Sequence, residues 1–159
     1  MTDAELKSHL DLAEKSPKQI AGAVSGLPEK TLKFKPAPDK WSILEILAHL
    51  ADMEILYAYR LRQMLADENP VIAPINQDAW AAKLGYTDSS PAELVALYGL
   101  NRHATLQLLR RIKAGDLEKG AFHPELKRKV NVAEIVQMMS RHGPNHLEQI
   151  EKLKKQAGK

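Results

Sequence analysis

The last segment of the chain places two histidines inside an apolar stripe. Residues of the stripe recur every three or four positions, which is typical of a helix with one face in a protein core: Ile135, Met139, His142, His146, Ile150 and Leu153. On an α-helix, these two histidines lie about 40° apart around the axis and about 6 Å apart along it. The stripe therefore predicts a helix that carries two candidate metal ligands into a core, and other helices must build the rest of that core.

Three further segments have helical periodicity, and no segment alternates over six residues, so we predict an all-α four-helix bundle without a sheet. The first helix is expected at 3–24, where Pro17 breaks or kinks it. The second begins at the N-cap Ser42, with Glu45 completing a capping box, and extends to about Glu68.

The third and fourth helices also have recognisable starts. Ser90 followed by a proline begins the third, and Asn131 caps the fourth. A short extra helix or loop is expected at 76–86, between the second and third helices, and a loop at 116–131. We expect a single domain spanning residues 1–159, with a frayed basic tail from about residue 154.

Composition narrows the possible functions. Hydrophobic residues make up 44% and charged residues 27% of the chain, which is typical of a soluble globular protein. No apolar run approaches the length of a membrane span, and the first residues lack the features of a signal peptide. The net charge of +3 is spread among 20 acids, and only 5% of residues are aromatic. We therefore expect no membrane or nucleic-acid partner.

The chain has no cysteine. This excludes disulfides, thiolate ligands and a cysteine nucleophile, and it is consistent with a cytoplasmic location. A metal ion would have to be bound by histidine or carboxylate. His49, in the second helix, lies among apolar neighbours and is the candidate third ligand for an ion held by His142 and His146.

Three neutral imidazoles would leave an ion such as Zn²⁺ or Ni²⁺ with open positions, which is typical of catalytic sites. Without a thiolate or carboxylate ligand, the site would keep a net charge near that of the free ion, which favours a bound water of lowered pKa or an anionic ligand such as a thiolate. Buried histidines are, however, often satisfied core residues without a metal. His9 is expected to be solvated, His103 to pack or to face water, and His123 has no evident role.

Charged residues near His49 could assist such a site. Glu45 lies about 40° to one side of His49, Asp52 about 60° to the other, and Arg60 within about 20° of the same line. Either carboxylate could orient the imidazole, although a capping role explains Glu45 equally well. Arg60 could bind an anionic substrate group, or it could pair with Asp52 or Asp67.

Several motifs, in order along most of the chain, resemble the DinB superfamily, and particularly its YfiT-like branch of metal-dependent hydrolases and thiol transferases. They are Trp41-Ser-Ile-Leu-Glu-Ile-Leu-Ala-His49-Leu-Ala-Asp52, Arg60, Asp78-Ala-Trp80-Ala, His123-Pro-Glu125 and His142-Gly-Pro-Asn-His146-Leu-Glu-Gln-Ile150. The resemblance implies a four-helix bundle with a divalent ion, often nickel or zinc, on three histidines that match His49, His142 and His146. It also implies low-molecular-weight thiols as co-substrates and a homodimer. The pair Gly143-Pro144 departs from the bulkier residues expected there.

The sequence therefore favours a metal-dependent transferase or hydrolase acting on a small molecule. Arg60 would hold an anionic group, Asp52 or Glu45 would orient a ligand histidine, and Asp52 or Glu148 would act as the general base. The alternative is a non-catalytic helical protein that binds a metal or another ligand. A helical interaction domain without metal is a third possibility.

Overall fold

The structure is a computed structural model that describes residues 1–158. The described residues form six α-helices, which we number α1 (Asp3–Val24), α2 (Glu29–Leu32), α3 (Ile43–Ala66), α4 (Gln77–Lys83), α5 (Pro91–Leu109) and α6 (Val132–Ala157). The four long ones, α1, α3, α5 and α6, confirm the predicted bundle. The short helix α4 lies between α3 and α5, as expected, and α6 includes residues 154–157, where we expected fraying.

Local capping explains where the long helices begin. Capping boxes start α1, α3 and α6, whose N-cap residues are Thr2, Ser42 and Asn131. In each box the N-cap side chain accepts a hydrogen bond from the third amide of the helix, and the third side chain accepts one from the N-cap amide. Ser90 caps α5, which has proline in its first turn.

Both internal prolines lie within continuous helices, so of the two alternatives expected at Pro17 the break is wrong. Pro17 cannot donate a hydrogen bond to the carbonyl of Ala13, which is four residues earlier. The hydroxyl of Ser16 donates to that carbonyl instead, at 3.0 Å. The helix α6 also continues across Pro144, which keeps His142 and His146 one turn apart on the same helix.

The predicted loop at 116–131 is partly a β-hairpin, so the expectation of no sheet is also wrong. Strands β1 (Gly120–His123) and β2 (Arg128–Asn131) pair antiparallel. Each strand has only four residues, which is too short for an alternating pattern to show in the sequence. Backbone hydrogen bonds of 2.9 Å also join Phe122 to Pro70 and Ile72, so the segment after α3 lies along β1.

The two larger apolar clusters of the described residues lie at opposite ends of the bundle. In α1 the first cluster takes Leu10 and the second Ile20, and in α6 the first takes Ile135 and the second Ile150. The order is reversed in the other two helices: the first cluster contains their C-terminal residues and the second their N-terminal ones. The helices α1 and α6 therefore run in one direction, and α3 and α5 run in the other. Each helix packs against its parallel partner, α1 against α6 and α3 against α5, and against one helix of the other pair, α1 against α5 and α3 against α6.

A polar layer separates the two clusters. Glu54 on α3 and Arg102 on α5 form an ion pair with oxygen–nitrogen distances of 2.5 and 2.7 Å, and both side chains are almost fully buried. Tyr98 lies 3.4 Å from Arg102 Nη2 and 2.8 Å from the hydroxyl of Ser16 on α1. This layer connects three helices at the level where α6 carries its two histidines.

The helices in the described part of the chain are all too short or too polar to cross a lipid bilayer.

Candidate metal centre

Three histidines from two helices meet between the apolar clusters. The Nε2 atom of His142 lies 3.1 Å from that of His49 and 3.2 Å from that of His146. One nitrogen of each ring lies within 4.8 Å of the other two. Nitrogens bound to one ion at about 2.0–2.1 Å are about 3–3.4 Å apart, so this cluster has the spacing of a metal-ligand set. The structure brings together the three histidines that the sequence indicated.

The hydrogen bond of His146 orients its ring toward the cluster. Its Nδ1 lies 3.0 Å from Oε1 of Gln149, one turn further along α6. Because an amide oxygen only accepts hydrogen bonds, Nδ1 of the neutral ring carries the proton. The lone pair is then on Nε2, the nitrogen that faces His142. In His142, Nδ1 is buried without a hydrogen-bond partner among the described residues.

Burial keeps the three rings neutral. Burial, with a smaller effect from the nearby His146, lowers the pKa of His49 to about 4. It lowers the pKa of His142 to about 2, with smaller effects from His146, His49 and Arg102. Burial also lowers the pKa of His146, which the hydrogen bond to Gln149 partly offsets. Neutral imidazoles are the form that binds metal, so few protons compete for this cluster at neutral pH.

Two aromatic rings enclose the cluster. Trp41, just before α3, lies with its ring centroid 4.7 Å from that of His49. Tyr57, two turns along α3 from His49, has its ring at 5.8 Å from that of His142, nearly perpendicular to it. Burial raises the pKa of Tyr57 to about 12, so its hydroxyl is protonated at neutral pH. These rings exclude water from much of the surface of the imidazoles.

The three predicted carboxylates have other neighbours. Glu45 completes the capping box of α3 and pairs with Lys35 at 2.7 Å. Asp52 accepts a hydrogen bond from the hydroxyl of Tyr86, whose pKa is raised by burial and by this bond. Glu148 is exposed on α6. The structure thus supports the capping role for Glu45, which the sequence left open.

Arg60 also has a partner outside the cluster. Its guanidinium, half-buried, donates to the carbonyl of Ala73 at 3.0 Å, in the segment that follows α3. Neither of the ion pairs considered from the sequence, with Asp52 or with Asp67, is present among the described residues. The sequence predicted which face of α3 carries Arg60. It could not predict that the segment containing Ala73 covers that face.

A cavity of about 510 Å³ opens beside His142, between α3 and α6. Met53 and Tyr57 contribute to its wall from α3, and Met138, Arg141 and Asn145 contribute from α6. Its lining is therefore mixed: two thioethers and an aromatic ring provide apolar surface, and a guanidinium and an amide provide polar groups. A small molecule in this cavity would lie directly against one of the three clustered rings.

The charges around this cavity leave one cation without a partner. Glu134 also lines it, but pairs with Arg128 at 2.8 Å. Arg141 has no ion-pair partner within residues 1–158. The local balance is therefore positive, before any metal ion is considered.

The remaining histidines lie elsewhere. His9, expected to be solvated, is half-buried on α1, with Nδ1 2.9 Å from the hydroxyl of Ser140 on α6, so that expectation is wrong. His103 is exposed on α5, and His123 in β1 accepts a 3.4 Å hydrogen bond from the amide of Leu126.

Sequence reasoning missed three residues at the site: Gln149, Arg141 and Tyr57. The helical spacing of three between His146 and Gln149 was a usable signal. Arg141 directly precedes a candidate ligand, but its exposure on the cavity wall depends on tertiary packing. Tyr57 lies at helical spacing from the apolar residues of the second helix, where packing in the core is the ordinary interpretation.

Comparison with characterised sequences finds distant relatives along nearly the whole chain. "Putative metal-dependent hydrolase OB0782" of Oceanobacillus iheyensis is 25% identical over 153 residues, covering 96% of this chain and 88% of that protein. "Putative metal-dependent hydrolase YfiT" of Bacillus subtilis is 22% identical over 149 residues, covering 94% of this chain and 84% of that protein.

Solved structures show the same fold. YfiT from Bacillus subtilis, described as having an unusual four-helix bundle topology, superposes with a TM-score of 0.93 at 21% identity, over 99% of this chain and 90% of YfiT. A mycothiol-dependent maleylpyruvate isomerase superposes with a TM-score of 0.70 at 18% identity, over 94% of this chain and 63% of the isomerase. The sequence model of the DinB superfamily matches residues 12–150. The chain therefore belongs to the DinB superfamily.

Proposed function

We propose that this protein is a metal-dependent enzyme whose ion is held by His49, His142 and His146. The reaction is attack of a water molecule or a low-molecular-weight thiol on a small electrophilic substrate, which makes the protein a hydrolase or a thiol transferase. Zinc and nickel are the preferred ions, because imidazole ligands suit both. A divalent ion in such a site acts as a Lewis acid and activates the nucleophile at neutral pH.

The observation that carries this proposal is the convergence of three Nε2 atoms, at 3.1 and 3.2 Å, in neutral rings. Such a cluster without an ion is unfavourable, because three imidazoles cannot all satisfy their inward-facing nitrogens with one another. The orientation of His146 by Gln149 is the arrangement expected for a metal-binding histidine, whose outer nitrogen usually donates to an oxygen.

The cavity beside His142 is the proposed substrate site. Its thioether and aromatic walls suit an apolar portion of the substrate, and Arg141 suits an anionic group such as a carboxylate. In this proposal Arg141 takes the role that the sequence gave to Arg60, because Arg60 is held by the carbonyl of Ala73. Asp52 is given an indirect role in this proposal. Its hydrogen bond with Tyr86 would hold the turn of α3 that carries His49.

The comparisons support the two branches of the proposal unequally. Both curated relatives are named as metal-dependent hydrolases, which supports a metal-activated water. The structural neighbour that depends on mycothiol supports a thiol instead. Hydrolysis and thiol transfer both need an activated nucleophile. The chain has no cysteine that could serve as one.

The second candidate is a binding protein that holds the ion without catalysis. A fourth protein ligand at the ion, such as Asp52 on the same helix as His49, would favour it. Asp52 instead accepts from Tyr86, and the open cavity lies beside His142. These two features favour the enzyme.

Metal content is the direct test. Wild-type protein purified without a histidine tag should contain one ion per chain, and His146→Ala should lose most of it. The matched control is His103→Ala, which removes an exposed histidine of α5. Metal-loaded wild-type protein is then assayed for activity on ester, amide and haloalkane electrophiles, once in buffer without thiol and once with added thiols. If His146→Ala keeps the metal and full activity, the site assignment is wrong.

A further inference from the structure

Tyr57 places a hydroxyl group at the edge of the bundle interior, next to the histidine cluster. Only 3% of the residue is exposed, and it lines the cavity beside His142. No group of residues 1–158 hydrogen-bonds its hydroxyl, and that oxygen is not among the fully buried polar atoms, so it is accessible from the cavity. By contrast, the other two buried tyrosines are satisfied: Tyr98 bonds Ser16, and Tyr86 bonds Asp52.

A hydroxyl group at the wall of a cavity makes its hydrogen bond with water or with a ligand that displaces the water. The ring of Tyr57 is fixed by its packing in the first apolar cluster and by its contact with His142. The partner that the protein does not supply must therefore come from the contents of the cavity. The other walls give this cavity a positive balance, so an oxygen with negative charge is the favoured acceptor.

We propose that Tyr57 is a catalytic residue that donates a hydrogen bond to an oxygen of the ligand in this cavity, beside the histidine cluster. This inference rests on the proposed function and adds a residue that contacts the substrate. The donor is preorganised, because its ring does not need to move, and it would stabilise negative charge on the substrate oxygen as the nucleophile attacks.

Removing the hydroxyl alone isolates this role. Tyr57→Phe keeps the ring and its packing, and no protein hydrogen bond is lost, so its unfolding midpoint should match that of wild type. Tyr59→Phe is the matched control: it makes the same chemical change two residues along α3, on a side chain that is 57% exposed.

The binding test uses protein loaded with Co²⁺, whose visible spectrum reports ligands near the ion, titrated with acetohydroxamate, a small anion with two oxygen atoms. Loss of a hydrogen bond to a charged acceptor corresponds to about 10- to 100-fold weaker binding. We expect that loss in Tyr57→Phe at unchanged cobalt content, and wild-type affinity in Tyr59→Phe.

The outcomes separate this inference from the metal proposal. If loaded Tyr57→Phe binds acetohydroxamate like wild type, the inference is overturned and the metal proposal stands. If Tyr57→Phe no longer takes up cobalt, Tyr57 is a packing partner of His142 and the inference is again overturned. Wild-type protein that takes up no cobalt would refute the proposed function itself.

Discussion

The buried pair of Glu54 and Arg102 allows a sharp test of how this bundle is stabilised. The two side chains are 0% and 1% exposed, and two hydrogen bonds join them. Two replacements break the pair from opposite sides: Arg102→Met leaves a buried carboxyl group, and Glu54→Leu leaves a buried guanidinium. Each should lower the free energy of unfolding by about 3–5 kcal/mol, a large part of the total of about 5–15 kcal/mol for a domain.

The double variant, Glu54→Leu with Arg102→Met, should lose far less than the sum of the single variants. The hydrogen bonding of the wild-type pair is incomplete. Nη1 of Arg102 is buried without a partner, and the hydrogen bond from Nη2 of Arg102 to the hydroxyl of Tyr98 is long, at 3.4 Å. Apolar replacement removes both charges and this unpaired donor together. Exchanges of this kind are often neutral or stabilising by about 1–4 kcal/mol. We therefore expect the double variant to lie within about 1 kcal/mol of wild type.

The two single variants should differ in their dependence on pH. Burial raises the pKa of Glu54, and Arg102 opposes that rise. Without Arg102 the folded protein binds a proton at Glu54 more tightly than the unfolded chain does, so the penalty is largest at high pH and shrinks as pH falls. A guanidinium cannot release its proton in this range, so the penalty in Glu54→Leu should be constant.

Urea unfolding of metal-free protein at about pH 5 and about pH 8 measures these differences, since any ion bound to the native state would add its own stabilisation. Changes in free energy relative to wild type cancel the titrations that all variants share. Additive losses in the double variant would refute the argument, because they would mean that the two residues act independently. If the loss of free energy of unfolding depends equally on pH in the two single variants, the argument that one leaves a titrating carboxyl group and the other a permanently charged guanidinium is wrong.

Three other predictions follow from the same structure. Gly143→Ala should lower the free energy of unfolding by about 1–3 kcal/mol through overpacking, because a Cβ there would lie 2.5 Å from the hydroxyl of Tyr98. Gly99→Ala is the control: its Cβ would have its closest contact at 3.8 Å, so urea unfolding should show a neutral or slightly stabilising effect. Metal-free protein should be fully stable above about pH 6.5 and lose stability as pH falls toward 4, because the unfolded chain protonates at the ordinary histidine pKa while His49 in the fold has a pKa of about 4. This residue alone accounts for about 3 kcal/mol, and the lowered pKa values of His142 and His146 add to the loss in the same direction. His49→Gln should therefore make the urea-midpoint profile shallower, while His103→Ala should leave it unchanged. Arg141→Gln should raise KM about 10-fold for an anionic substrate with little change in kcat, while Arg60→Gln should leave KM unchanged. The reverse result would show that Arg60, and not Arg141, binds the anionic group of the substrate.

The parts of the fold that depend on neighbouring residues were predictable from the sequence. Helix starts at Ser42, Ser90 and Asn131 follow from side chains three residues apart or less, and the structure contains each of them. The hairpin was missed because four-residue strands have no readable period. Pro17 does not break its helix, because the neighbouring Ser16 supplies the lost hydrogen bond, a local effect that a general rule about proline does not include.

The candidate site shows a different limit. The angular positions of Asp52 and Arg60 relative to His49 describe one helix correctly, but they do not specify what packs against it. Tyr86, 34 residues beyond Asp52, and Ala73, in the segment after α3, determine the environments of those two residues. The pairing of Glu54 with Arg102, 48 residues apart, was likewise invisible in the sequence.

The histidines of α6 depend on how that helix is rotated about its axis, and Gly143 determines that rotation. With no side chain, Gly143 lets α6 approach Ser16 on α1 and Tyr98 on α5 more closely than any Cβ would allow. That contact lies between His142 and His146 in sequence, so it fixes which face of α6 is turned toward His49 on α3. The glycine that departs from the expected family pattern is therefore explained by helix packing. It follows that Gly143→Ala should weaken metal binding as well as the fold, and that a stable Gly143→Ala protein with wild-type metal affinity would show that the histidines are positioned by something else.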